Sequence, residues 1–247
     1  MKDGKNPHQF ITTESNNDMT TLRQIFVDRL KNAGMIRTPR VEAAFRTVPR
    51  HMFVPDTDRE TAYQDAHIVT RWQGDTPISS CSQPSITAMM LEMLDLQPGQ
   101  RILEIGAGTG YAAALMAHIV GETGKVITID LDEDIVDSAL KHLQAAGVNN
   151  VQVICHDGVQ GWQKAAPYDR VILTVASADI APAWREQLRT GGRMVLPFQL
   201  TAFQSELATP PDQLLLALKQ TSTCLESIDI RPCFFMTLRG ASATQLT

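Results

Sequence analysis

Arg101-Ile-Leu-Glu-Ile-Gly-Ala-Gly-Thr-Gly-Tyr111 runs from a short apolar stretch into three glycines at alternate positions and then into an alanine-rich run. A brief apolar run bounded by glycine reads as a buried strand, here Arg101–Ile105, and the following Thr109–Val120 reads as a helix. Gly106, Gly108 and Gly110 leave the backbone bare, so a ligand can approach where a side chain would otherwise stand. The ligand itself is not named by this turn. Dinucleotide sites share the same strand, turn and helix, but the third glycine comes one place too early for GxGxxG, where Tyr111 stands.

Outward from this stretch the same rhythm repeats. Lys125–Asp130, Val151–Cys155, Arg170–Val175 and Arg193–Pro197 read as further strands. Glu133–Ala146, closed by Gly147, and Pro182–Arg189 read as helices between them. Strands alternating with helices imply an α/β fold, a doubly wound and mostly parallel sheet, whose ligand sits beyond the carboxyl ends of the strands.

Upstream, Leu22, Ile25, Phe26 and Leu30 recur at helical spacing from Thr20, with Gly34 as the stop. Thr38 as cap, Pro39 in the first turn and the stripe Val41, Ala44, Phe45 and Val48 predict a second helix. Residues 53–82, with Pro55, Gly74 and Pro77, show no sustained period, and long irregular loops are more often functional than not. The apolar run Leu214–Leu218 and the segment Cys224–Leu238 are expected to finish the sheet as antiparallel strands. The organisation expected is a flexible 1–19, a helical and loop region 20–97, a core 98–200 and C-terminal strands with a tail over 201–247.

A net charge of −5 with Lys and Arg scattered along the chain offers no basic stripe, which speaks against nucleic acid as partner. Cys81, Cys155, Cys224 and Cys233 form no CxxC pair and read as free thiols, and the six histidines lack ligand spacing, so no metal is expected. Met1–Asp18 is polar, without a signal-peptide core or a membrane-length apolar run, and a cytoplasmic location is expected.

Charge separates the candidate ligands better than glycine spacing does. Glu104 lies inside the first strand, Asp130 at the end of the second and Asp157 just past the third. A pyrophosphate needs amide donors and tolerates at most one carboxylate, on its ribose. S-adenosylmethionine brings an ammonium, a sulfonium, two ribose hydroxyls and an adenine amine, all of which carboxylates serve. Asp130 or Asp157 alone reads equally well as a helix cap or a solvated strand end. Glu104 does not, because a carboxylate inside an apolar strand is costly unless it is paired.

With these residues in hand, LEIGAGTGY, VITIDLDE, VICHDGVQGW, APYDRVILTVA and LRTGGRMVLP resemble the successive motifs of class I methyltransferases. RVEAAFRTVPRHMFVP, AYQD and SQPSITAMM resemble the N-terminal signature of one family among them, the protein-L-isoaspartate O-methyltransferases. The likeness spans roughly residues 35–200. It implies S-adenosylmethionine as cofactor and S-adenosylhomocysteine as product, on a Rossmann-like fold. It further implies that Glu104 and the glycines hold the methionine end, Asp130 the ribose, and Asp157 with Gly158 the adenine, with Leu131, Gln83 and Pro84 beside the cofactor.

In that family a Thr-Ile-Ser-x-Pro motif leads into a helix, and its serine lies between cofactor and substrate. Anchoring on Gln83-Pro84 places Ser82 there, with Ser80 and Cys81 in place of the Thr and Ile. Ser82 also has the look of a helix N-cap, whose neighbouring amides would suit a carboxylate. A carboxylic acid of pKa about 3.9 is already ionised at neutral pH, so orienting hydroxyls such as Ser82, Ser80 and Ser79 are expected rather than a catalytic histidine.

Two departures from the family stand out. Arg71–Ser82 is longer and richer in serine than the usual Gly-Gln-Thr-Ile-Ser, and the ending RPCFFMTLRGA differs from the usual one. Both resemble the branch that methylates an aspartate in ribosomally made modified peptides, the ester then cyclising to a succinimide. That tailoring role is the first expectation, and repair of isoaspartyl damage the second. A nicotinamide-dependent oxidoreductase fits the coarse fold but not the third glycine or the acids.

Overall fold

The structure, a computed structural model, describes residues 8–200 and 213–240, with side chains from residue 19 onward. In chain order the elements are α1 (His8–Asn32), α2 (Pro39–Thr47), α3 (Arg59–Ala62), β1 (Ile68–Gln73), β2 (Thr76–Cys81), α4 (Pro84–Leu94), β3 (Arg101–Ile105) and α5 (Tyr111–Val120). They continue with β4 (Lys125–Asp130), α6 (Glu133–Ala145), β5 (Val151–Cys155), β6 (Tyr168–Leu173), α7 (Pro182–Gln187), β7 (Leu188–Gln199), β8 (Gln213–Gln220) and β9 (Leu225–Pro232).

Seven strands form one sheet in the order β5-β4-β3-β6-β7-β8-β9. The pairs from β5 across to β7 are parallel, and β8 and β9 add antiparallel strands at the far edge. Strand order reverses at β3, which has β4 on one side and β6 on the other, so the crevice for a ligand opens at its carboxyl end. Ile102, Leu103 and Ile105 are buried on both faces of β3. Each such side chain contributes about 1.5–3 kcal/mol by leaving water.

Helix α5 is apolar nearly all round and accordingly buried, whereas α6 buries only the stripe Ile135, Val136, Ala139 and Leu143. The N-terminal helices pack onto α5 rather than standing apart. Phe45 and Phe53 set their rings against Tyr111 at 6.2 and 5.5 Å, and one contiguous apolar cluster runs from Met19 to Phe235.

Strands β3, β4 and β5 have the bounds read from the sequence. Helix α1 is described from His8, earlier than the Thr20 start expected; residues 1–7, 201–212 and 241–247, with those parts of the expected N-terminal segment and C-terminal tail, lie outside the described residues. The segment expected to be irregular is where the sequence reading is corrected. Residues 68–81 form the β1–β2 hairpin around the two-residue turn Gly74-Asp75, with Gly74 at φ 59°. Its strands are largely exposed and its register shifts around Arg71, so no apolar alternation marked it.

The segment Cys224–Leu238, expected to finish the sheet, does so in part. Among the described residues the β8–β9 register ends at Pro232, a last main-chain bond runs from Cys233 N to Gln213 O at 3.3 Å, and the chain then leaves the edge. It crosses the carboxyl ends of the parallel strands as a strap. The Gln213 side chain clasps its root, accepting from Phe235 N at 2.6 Å and donating to Phe235 O at 3.0 Å. Further along, Ala176 N donates to Met236 O and Leu238 N to Ala176 O, both at 2.7 Å, and Arg239 pairs with Asp132.

Candidate active site

The glycine turn sits on the end of β4. Gly106 N and Ala107 N donate to Ile129 O at 2.8 and 3.0 Å, and Thr174, just past β6, donates its hydroxyl to Gly106 O at 2.6 Å. A Cβ on Gly106, whose φ is 98°, would lie 2.6 Å from that same hydroxyl. On Gly108 it would lie 3.2 Å from Ser80 O, so the bare backbone here lets β2 come down onto the turn.

A cavity of about 350 Å³ opens beside this turn. Glu104, Gly106, Gly108, Asp130, Leu131 and Gly158 line its floor, and Ser80 and Ser82 line the opposite wall. Other predicted residues sit outside the lining. Gly110 is the left-handed cap of α5, and Pro84 opens α4. Gln83 donates to Asp65 at 3.2 Å. Asp157 accepts from Val159 N at 3.1 Å, capping a short turn, with Gly240 of the strap packed against its carboxylate.

Glu104 has no solvent exposure, and among the described residues neither of its carboxylate oxygens has a hydrogen-bond partner. Burial pushes its pKa up to about 8; the Thr128 hydroxyl, facing it across the register but outside hydrogen-bond geometry, tempers the rise and the Asp130 charge adds to it. Asp130 is raised too, by burial, against the pull of its two amide donors, Gly108 N at 3.0 Å and Leu131 N at 2.9 Å. An orphaned buried carboxylate, a second one with lone pairs to spare and glycines that hold the wall back make a place for a cationic, hydroxyl-bearing ligand. S-adenosylmethionine fits that donor set.

Ser82 is not the helix cap that the sequence suggested. Gln83 occupies the N-cap position of α4 without a side-chain cap bond, and Asp65 accepts from Ser85 N at 2.8 Å in its place. The α4 amide expected to face a substrate carboxylate is therefore engaged by Asp65. Among the described residues no hydrogen bond engages the Ser82 hydroxyl, which borders the cavity.

Sequence reasoning missed the strap residues Met236, Thr237, Leu238 and Arg239, which also line the cavity. The Arg239–Asp132 pair joins positions 107 residues apart, and nothing local announces it. Among the described residues no helix is long and apolar enough to cross a membrane, and no group of three His, Cys, Asp or Glu is placed to hold a metal.

This fold and site define a class I S-adenosylmethionine-dependent methyltransferase. The family profile described as protein-L-isoaspartate(D-aspartate) O-methyltransferase matches residues 21–225. A protein-L-isoaspartate O-methyltransferase of Hyperthermus butylicus is 38% identical over 229 residues, covering 88% of each chain. One from Methanopyrus kandleri is 41% identical over 177 residues, 71% of this chain and 76% of the relative. A solved structure titled protein-L-isoaspartate O-methyltransferase superposes with TM-score 0.78 at 31% identity, over 88% of this chain and 66% of that one. At 18% identity, a Plasmodium falciparum structure, a putative protein of the same name in complex with S-adenosyl-L-homocysteine, shares the fold with TM-score 0.71 over 88% of this chain and 98% of that one. The chain belongs to the protein-L-isoaspartate O-methyltransferase family, and it is a carboxyl O-methyltransferase rather than an oxidoreductase.

Proposed function

We propose that this protein esterifies the side-chain carboxylate of an L-isoaspartyl residue in damaged proteins, in the cytoplasm. The observation that carries the reading is one cavity joining the orphaned carboxylate of Glu104 to the unengaged hydroxyl of Ser82. When bound, S-adenosylmethionine supplies an electrophilic methyl group on a sulfonium. Glu104 and the glycine turn hold its amino-acid end, Asp130 and Leu131 its ribose, and Gly158 with Asp157 its adenine. Gln83 and Pro84 support the wall rather than touch the cofactor. Ser82 and Ser80 orient the acceptor carboxylate, which needs no general base because it is already ionised. The names of the relatives support the isoaspartyl substrate, and the free thiols suit a reducing compartment.

One observation favours a second reading, the aspartate of a ribosomally made modified peptide. The β1–β2 hairpin supplies the wall from Thr76 to Ser82 and carries Trp72, more than half exposed, near its tip. A protruding wall of this kind offers contacts beyond the carboxylate, which is what rejection of ordinary aspartates requires. The test offers the enzyme a short isoaspartyl peptide, its aspartyl twin and a cyclised modified peptide, and follows methyl ester formation by mass spectrometry. Turnover of the isoaspartyl peptide alone supports repair; turnover of the cyclised peptide alone, followed by net water loss, replaces it with tailoring.

A further inference from the structure

Arg50 is a cation buried with no solvent exposure. Among the described residues no carboxylate pairs with it. Its Nη1 donates to Ala62 O at 2.8 Å and Gln64 O at 3.3 Å, and its Nη2 donates to Ala66 O at 3.0 Å and Ser82 O at 3.2 Å. The guanidinium lies 5.9 Å from the centre of the Tyr111 ring. Burying a charge on main-chain carbonyls alone is expensive, and an apolar side chain would fill the same space at lower cost. What the cation does that methionine cannot is gather two distant segments, 62–66 and Ser82.

The gathered segment has a second hold on the same place. Asp65, on the surface, accepts from Ser85 N at 2.8 Å with Oδ1 and from Gln83 Nε2 at 3.2 Å with Oδ2. The main chain of Ser82 is thus held at its carbonyl by Arg50, and the residues that follow are held by Asp65, which itself hangs on Arg50 through its neighbours' carbonyls. All the fixing is done through the backbone and Gln83. The Ser82 hydroxyl is left free for the cavity.

We propose that Arg50 and Asp65 are positioning residues for methyl transfer, acting together through the main chain to orient the Ser82 hydroxyl toward the acceptor carboxylate. The proposal rests on the reading of Ser82 given above, and its test separates the two. kcat, and KM for S-adenosylmethionine, are measured on the best acceptor peptide for the wild type, Arg50→Lys, Asp65→Ala, Ser82→Ala and the Asp65→Ala/Ser82→Ala double variant. Asp65 is exposed, so its truncation leaves a folded protein even where Arg50→Lys does not.

Asp65→Ala is expected to lower kcat about tenfold with KM for the cofactor unchanged, the size of a misplaced orienting hydrogen bond. In the Ser82→Ala background the same change is expected to cost less than about twofold, because the hydroxyl it served is gone. Folded Arg50→Lys is expected to show the same kcat loss. Ser82→Ala that slows the reaction while Asp65→Ala adds a full, independent loss would overturn the positioning role and leave Ser82 in place. Full activity in Ser82→Ala would remove the reading of Ser82 and the proposal with it.

Discussion

Glu104 and Asp130 stand on strands paired on both sides, whereas Ser80 and Ser82 stand on and just past a strand paired on one side only. Strands β3 and β4 hold the cavity floor through a run of main-chain bonds, and no single side chain decides where Glu104 lies. The opposite wall and the strap hang on scattered contacts: Arg50 and Asp65 at Ser82, Arg71 with Asp134 from the hairpin to α6, and Gln213, Arg239 and two main-chain bonds with Ala176 along the strap. The floor is expected to govern cofactor affinity and stability together, and the wall's exposed contacts to govern rate and substrate choice with little effect on stability, the buried Arg50 apart.

The largest effect is predicted for Gly106→Ala, since the new methyl meets a Thr174 hydroxyl 2.6 Å away on a backbone at φ 98°. Forcing an alanine into that conformation costs about 1–3 kcal/mol before the clash is counted. Melting temperature and calorimetric affinity for S-adenosylhomocysteine should fall together. If both stayed at their wild-type values, the floor would not be the rigid half of the comparison.

Glu104→Gln is predicted to change how stability depends on pH. The folded protein keeps the Glu104 proton up to about 8, above the ordinary 4.5, so between those values the native state binds a proton that the unfolded chain has lost. The stability tied to this proton is fully present below the ordinary value and is lost as pH rises through the folded one. Without cofactor, the wild-type melting temperature should therefore fall more steeply over that window than that of Glu104→Gln. Parallel curves for the two proteins would deny Glu104 its place as the buried, waiting carboxylate.

Arg239→Ala should have the smallest effect, because its pair with Asp132 is roughly one-third exposed and such pairs contribute about 0–1 kcal/mol. Cofactor affinity should weaken by no more than about fivefold, and the melting temperature should hardly move. A hundredfold loss in titration would sharpen the comparison differently, by making the strap part of the floor.

The floor was legible because each of its signals is local. A glycine turn, an acid inside an apolar strand and an acid at a strand end sit within a few residues of the elements that position them, and β3, β4 and β5 follow directly from their apolar runs. The wall was less so. Hairpin β1–β2 is too exposed to show alternation, and Gly74-Asp75, its one local signal, stands among other breakers. Ser82 was found through a family motif, but its role as a cap was misread, because the acceptor for Ser85 N comes from Asp65, twenty residues upstream. Arg50 and Asp65 lie in RVEAAFRTVPRHMFVP and AYQD, which marked a family without saying what those residues hold.

The strap has a consequence for biosynthesis. Chains are made from the N-terminus, and domains begin to fold as they emerge. Strands β3 to β7 can pair while residues 213–240 are still being made, but the last side of the cavity, Met236 to Arg239, leaves the ribosome after every strand of the sheet. A nascent chain therefore carries Glu104 and the glycine turn in an open crevice, and the finished enclosure arrives only with the final described residues. A released chain ending at Pro232 should accordingly form the sheet and bind the cofactor product on the floor, with that side of the cavity left open.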